Sequence, residues 1–143
     1  MTDSPDPTPY PDCARRARGI AMYANQFGVP VEQLPAHMAA MLGPRMAEEA
    51  QYASANTWTG ETLSMRDRSL VVIASLVAQG GVEARLRGHL RWALSNGATR
   101  EELDALMVLL AGYVGYPKAS IGMELLIEEL GPLPPTDPEE PAS

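Results

Sequence analysis

A chain of 143 residues, 45% of them hydrophobic, is long enough for one ordinary domain with a continuous core. Eighteen Asp and Glu against eleven Lys and Arg give a formal net charge of -7, which argues against a nucleic-acid partner because phosphate binding wants a basic face. Cys13 is the sole cysteine, so the chain can form neither an internal disulfide nor a CxxC redox pair.

The start has neither a basic leader nor the apolar run of a secretory signal. No apolar stretch approaches the roughly 20 residues needed to span a bilayer. These features predict a cytoplasmic protein with no membrane partner. Pro5, Pro7, Pro9 and Pro11 deny a helix its hydrogen bonds and predict an extended N-terminal arm over 1–13, with Tyr10 as an aromatic anchor. Pro132, Pro134, Pro135, Pro138 and Pro141 predict a second tail over 131–143. A single all-helical domain is expected over 14–130.

Within it, Ala14 to Phe27 reads as a helix stopped by Gly28 and Pro30. Val31 to Leu42 reads as a short helix that starts late or irregularly because of Pro35. Pro44 suits a first helical turn, and the pattern then runs from Met46 to Trp58 before Gly60 breaks it. Ser64 is a good N-cap for a helix that presents Leu70, Ile73, Ala74 and Val77 before Gly80 and Gly81. Val82 to Asn96 carries Leu86, His89, Leu90 and Ala93, and Gly97 suits its C-terminal cap. Thr99 and Glu102 form a capping box. The helix after it is apolar nearly all round, from Leu103 to Tyr113, so it is expected at the centre of the fold. A last helix follows Gly115-Tyr116-Pro117 and runs to about Leu130. A helix apolar on every face needs cover on every face, which predicts self-association.

The residues that can carry chemistry are few, and each also has a structural reading. Met22, Met38, Met41, Met46, Met65, Met107 and Met123 suit irregular core gaps, or a ligand lining at single positions. His89 lies at the edge of apolar material with Arg85 and Trp92 at helical spacing, and can be a satisfied structural histidine, a general acid or base, or a metal ligand. His37 is too remote to form a local ligand pair with it, so no metal site is expected. Arg66 and Arg68 at a helix start can be surface charges or can hold a carboxylate bidentately. Trp58 can be core, interface or pocket wall. No phosphate loop, nucleotide fingerprint or Gly-x-Ser-x-Gly elbow is present.

Three runs in order carry a resemblance: Leu63-Ser-Met-Arg-Asp-Arg-Ser-Leu-Val-Val-Ile-Ala-Ser-Leu-Val-Ala-Gln-Gly, then Gly88-His-Leu-Arg-Trp-Ala-Leu-Ser-Asn-Gly-Ala-Thr-Arg-Glu-Glu-Leu, then Ala111-Gly-Tyr-Val-Gly-Tyr-Pro-Lys-Ala. Together they resemble the carboxymuconolactone decarboxylase family over about Trp58 to Leu130. The resemblance implies an all-α, AhpD-like helical bundle that assembles as a homotrimer or homohexamer. Its decarboxylase branch acts without metal or organic cofactor on a carboxylated muconolactone. Its other large branch, similar to the alkylhydroperoxidase AhpD, uses a CxxC pair just before the family histidine.

His89 matches that histidine, and the positions four and seven residues earlier, Arg85 and Val82, hold no thiol, so peroxidase chemistry is unsupported. Arg66, Arg68 and Ser69 match the arginine-containing helix start, Trp58 an aromatic ahead of it, and Tyr113, Gly115 and Pro117 a Tyr-x-Gly-x-Pro junction. Three positions depart from the decarboxylase pattern. Asn56 stands where a glutamate is usual, and Ala84-Arg85 where an acidic pair is usual.

The resemblance thus implies a cofactor-independent lyase for a small carboxylated lactone or related cyclic acid. His89 and Arg68 are its candidate catalytic residues, and Arg66, Arg85, Trp58 and Tyr113 its candidate substrate contacts. Loss of carbon dioxide beside a lactone carbonyl leaves an enolate-like charge that His89 can protonate and arginines can stabilise. Two other readings stay open: an isomerase or cyclase acting on a polar ring compound, and a non-catalytic oligomer that binds a small ligand.

Overall fold

A computed structural model describes residues 10–135. Those residues form an all-α fold of seven helices and one 3-10 turn. The helices are α1 (Tyr10–Phe27), α2 (Leu34–Leu42), α3 (Pro44–Thr57), α4 (Met65–Gln79), α5 (Glu83–Ser95), α6 (Arg100–Tyr113) and α7 (Tyr116–Leu130). The turn, Val31–Gln33, precedes α2 and accounts for the irregular start that Pro35 predicts.

One boundary differs from the sequence reading. Helix α1 begins at Tyr10, inside the stretch assigned to an extended arm, because Pro11 falls in the first turn, where its missing N–H has no intrahelical partner to lose. The rest of that arm, and the tail beyond Pro135, lie outside the described residues. The described residues fall into two compact units, divided between Thr62 and Leu63, each with its own buried apolar cluster.

In the first unit Leu34 and Met38 of α2 pack with Ala24 and Ala47, flanked by Ile20, Tyr23 and Phe27. Helices α1 and α3 approach closely at Gly19, where a Cβ would fall inside the envelope of the Gln51 carbonyl oxygen. Three arginines stitch the same pair of helices. Arg15 Nε donates to the Tyr52 carbonyl at 3.0 Å, Arg16 Nε to Gln51 Oε1 at 3.0 Å, and Arg18 Nη2 to Asn56 Oδ1 at 3.1 Å.

In the second unit Ile73 and Val77 of α4, Leu86 and Leu90 of α5, Leu103 and Met107 of α6, and Leu125 and Leu126 of α7 form the core. Both predicted N-caps close as expected. Ser64 Oγ accepts from the Asp67 amide at 3.0 Å, and Thr99 and Glu102 exchange both bonds of a capping box. Buried Ser69 accepts from Asn96 Nδ2 at 2.9 Å, tying the start of α4 to the end of α5. Gly122 lets α7 sit close, since a Cβ there would stand 2.8 Å from Met107 Sδ and 3.1 Å from Val77 Cγ2.

Helix α6 is not enclosed as its composition predicts. It buries Leu103, Met107 and Leu110, while Val108, Leu109 and Tyr113 stay exposed. Helices α7 and α4 cover one face only. An apolar composition specifies that a helix seeks cover, not that its own chain supplies it on every side.

Candidate functional site

Of the residues the sequence singles out, His89 and Arg85 share α5. Val82 starts this helix without a side-chain cap, and Leu86, Leu90 and Ala93 turn inward. The residues one step before these, Arg85, His89 and Trp92, therefore share the adjoining face, at a spacing of one turn. His89 is half-buried and Arg85 is exposed. The His89 and Trp92 rings meet edge to face, with centroids 4.9 Å apart and planes at 85°.

Burial draws the His89 imidazole below its ordinary value of 6.5, and the nearby Arg85 guanidinium pushes the same way. Both causes penalise the charged ring, so the resting histidine is neutral at pH 7. A neutral ring beside a fixed cation is poised to respond to an anion, because an arriving carboxylate offsets Arg85 and favours proton uptake.

The back of α5 is anchored to α7. Arg87 Nη1 reaches Glu129 Oε1 at 2.9 Å and Arg87 Nη2 reaches Glu128 Oε2 at 2.5 Å, while Arg91 also pairs with Glu129. Hydrogen bonds from Arg87 and then Arg91 hold the Glu129 carboxyl below the usual carboxylate range. Since 87 and 91 stand two residues either side of 89, this clamp lies across the helix from the imidazole.

The two arginines at the start of α4 part company. Arg66 is committed within the fold: Nη1 donates to Asp67 Oδ1 at 2.7 Å, Nε to Glu102 Oε2 at 3.2 Å, and Nη2 to Glu102 Oε1. Glu102 is held below its ordinary range by the Arg66 hydrogen bond first and the Thr99 backbone second. Arg66 thus ties α4 to the capping box of α6. Arg68 is half-buried two residues on, with Nη1 3.8 Å from Met65 Sδ.

Trp58 belongs to the first unit, half-buried at the end of α3, where its amide donates to the Ser54 carbonyl at 3.1 Å. Tyr113, at the end of α6, is 83% exposed and is not gathered into the α5 cluster. Two concavities open in the second unit. One, about 50 Å³, lies between the end of α4, the start of α5 and α7, with Val82, Leu86 and Lys118 in its walls. The other, about 360 Å³, is a groove along α6 and α7 lined by Met107, Tyr116 and Met123. His89, Arg68 and Arg85 line neither.

Sequence reading missed Trp92 as a neighbour of consequence, although its spacing from His89 was in view. It also missed Glu102 as the partner of Arg66, and there no local signal existed, because the pair is 36 residues apart.

Among the described residues, no helix is long and apolar enough to cross a membrane, and no three His, Cys, Asp or Glu side chains converge as metal ligands. Among known proteins, the chain is 37% identical over 79 residues to the 4-carboxymuconolactone decarboxylase of Acinetobacter baylyi, a match covering 55% of this chain and 58% of that enzyme. It is 45% identical over 58 residues to Peroxisomal protein 2 of Saccharomyces cerevisiae, covering 38% of this chain and 20% of that protein. The chain therefore spans less than two thirds of either relative. No solved structure matches it. The model of the carboxymuconolactone decarboxylase family matches residues 46–128, more than half of the chain and all of α4, α5 and α6. On that match, the chain belongs to the carboxymuconolactone decarboxylase family.

Proposed function

We propose that the protein is a cofactor-independent decarboxylase acting on a small carboxylated lactone or a related cyclic acid, with His89 transferring the proton. The observation that carries the proposal is the neutral, half-buried imidazole of His89 beside the cationic Arg85, in a family that includes a 4-carboxymuconolactone decarboxylase.

In this reading the substrate carboxylate is drawn to Arg85 and Arg68. Its negative charge offsets Arg85 and raises the affinity of His89 for a proton, which the ring takes from solvent. The bond from the ring carbon to the carboxylate then breaks, carbon dioxide leaves, and the electron pair passes into the lactone carbonyl system as an enolate. The guanidinium groups stabilise that charge. Imidazolium His89 returns a proton to carbon and is neutral again, so charge and atoms balance over the cycle. Arg66 holds α4 in place rather than meeting substrate.

The test is turnover of 4-carboxymuconolactone, followed by release of carbon dioxide and by mass. Wild-type protein should release carbon dioxide, and His89→Ala should lose at least about 10²-fold in turnover while retaining helicity. A mass-neutral conversion would replace this reading with an isomerase or cyclase, and saturable binding without turnover would replace it with a binding protein. Activity of folded His89→Ala within a factor of about three of wild type would remove the histidine from proton transfer.

A further inference from the structure

Trp92 stands on α5 three residues after His89 and has no part in the proposed chemistry. A long side chain on a helix leans toward the N-terminus and covers the residues three and four positions earlier. In α5 those residues are His89 and Gly88. The geometry follows that rule at both. The indole and imidazole planes stand at 85° with centroids 4.9 Å apart, and a Cβ built at Gly88 would lie 3.9 Å from Trp92 Cη2. The indole therefore lies back along the helix across a position that has no side chain, and its rings end against His89.

A glycine in the middle of α5 has a cost of its own, roughly 0.5–1 kcal/mol of helix stability against alanine. Its φ is helical, so no turn demands it. A Cβ there would touch the indole at ordinary van der Waals distance, so only side-chain atoms beyond Cβ would compete with it for space.

We propose that Trp92 is a positioning residue that fixes the imidazole of His89 in one orientation, with Gly88 as the seat that lets the indole reach it. The proposal rests on the reading of His89 as the proton-transfer group. Proton transfer requires the ring nitrogen within hydrogen-bond reach of the reacting carbon, and a ring free to turn about its side-chain torsions occupies that orientation only part of the time. An edge-to-face contact biases the torsion without using a ring nitrogen, which leaves the proton chemistry intact. Aromatic pairs of this geometry shift a conformational balance by about 2-fold to 12-fold. The expected effect on rate is therefore moderate, about 3-fold to 10-fold in kcat, with KM little changed, because the indole meets the histidine and not the substrate.

Three variants in the full chain test this, with a spectroscopic measurement beside the kinetics. Trp92→Leu should lower kcat by that factor, and Trp92→Phe, which keeps an aromatic face, should restore most of it. The chain has two histidines, so the His89 ring protons are assigned in NMR spectra by comparison with His37→Gln. In Trp92→Leu they should lose the ring-current displacement that the indole imposes, while those of His37 stay in place. Gly88→Leu keeps the tryptophan but fills its seat, and should reproduce both changes; it stands in should Trp92→Leu fail to fold.

The positioning role is overturned if the His89 ring resonances are unmoved in folded Trp92→Leu or Gly88→Leu. It is equally overturned if Trp92→Phe is as slow as Trp92→Leu, since that would be loss of packing and not of an aromatic contact. Failure of the reading of His89 as the proton-transfer group looks different: His89→Ala would keep its turnover, while the resonances of His89 would still shift in Trp92→Leu.

Discussion

Gly19 offers the sharpest test of how the first unit is built. A Cβ at this position would overlap the Gln51 carbonyl oxygen and stand 2.7 Å from its carbon and 3.0 Å from Ser54 Oγ. The obstacle is backbone in the middle of α3, which cannot swing aside as the tip of a side chain can. Two effects oppose each other in Gly19→Ala. Alanine favours the helix by up to about 1 kcal/mol over glycine. Overpacking against a fixed neighbour costs about 1–3 kcal/mol and more where backbone must move, and here it also displaces Arg15 and Arg16 from their bonds to α3. The clash wins, and a net destabilisation of about 2 kcal/mol or more is expected.

Two further glycines calibrate that figure. At Gly122 the nearest atoms are side-chain tips, Met107 Sδ at 2.8 Å and Val77 Cγ2 at 3.1 Å, so Gly122→Ala should cost less, about 1 kcal/mol. At Gly112 nothing lies within 4 Å, so Gly112→Ala should stabilise by roughly 0.5–1 kcal/mol. Urea unfolding followed by circular dichroism gives all three. A Gly19→Ala protein as stable as wild type would refute the close approach of α1 and α3.

Thr99→Ala removes the acceptor of the Glu102 amide and should destabilise by about 1 kcal/mol, read from the urea midpoint at unchanged slope. His89 predicts a pH dependence of stability. Its folded pKa lies below the unfolded 6.5, so the stability present above pH 6.5 is lost as pH falls through the folded value. Melting temperatures from pH 7 down toward the carboxylate range should fall more steeply for wild type than for His89→Gln, and parallel curves would sink the argument. The exposed stripe of Val108, Leu109 and Tyr113 predicts self-association, for which the family resemblance implies a trimer or hexamer. Sedimentation should show an assembly at micromolar concentration that Leu109→Glu weakens, and a monomeric wild type would defeat this.

Most of the helices were legible because their ends carry local chemistry. Ser64, Thr99 with Glu102, and the glycines at 80, 97 and 115 mark boundaries through groups within a few residues of each other, and the structure uses each one. The start of α1 was misread for a related reason. Four prolines in the first eleven residues outweigh the rule that a single proline in a first turn is harmless, and Pro11 belongs to the rule. The exposed side of α6 was not legible at all. Periodicity registers that a helix is apolar around its circumference, whereas which neighbours reach it is set by crossing geometry.

The site shows the same division between local and distant information. Arg66 and Arg68 read alike in the sequence, two guanidinium groups flanking one aspartate at a helix start. At about 100° per residue they point roughly 200° apart, so they cannot converge on one small carboxylate from the same turn. What separates their roles is Glu102, brought to Arg66 from another helix and already bonded to the amide of Thr99. Arg66 satisfies that buttressed carboxylate, and an incoming acid would have to displace it. The substrate clamp proposed above therefore leaves Arg66 out. Arg85 stands where the decarboxylase pattern has an acid, so it adds positive charge beside the histidine where the pattern would add negative charge. That reversal disfavours the imidazolium in the empty site and favours anionic ligands there, which couples proton uptake by His89 to arrival of the acid it is proposed to act on.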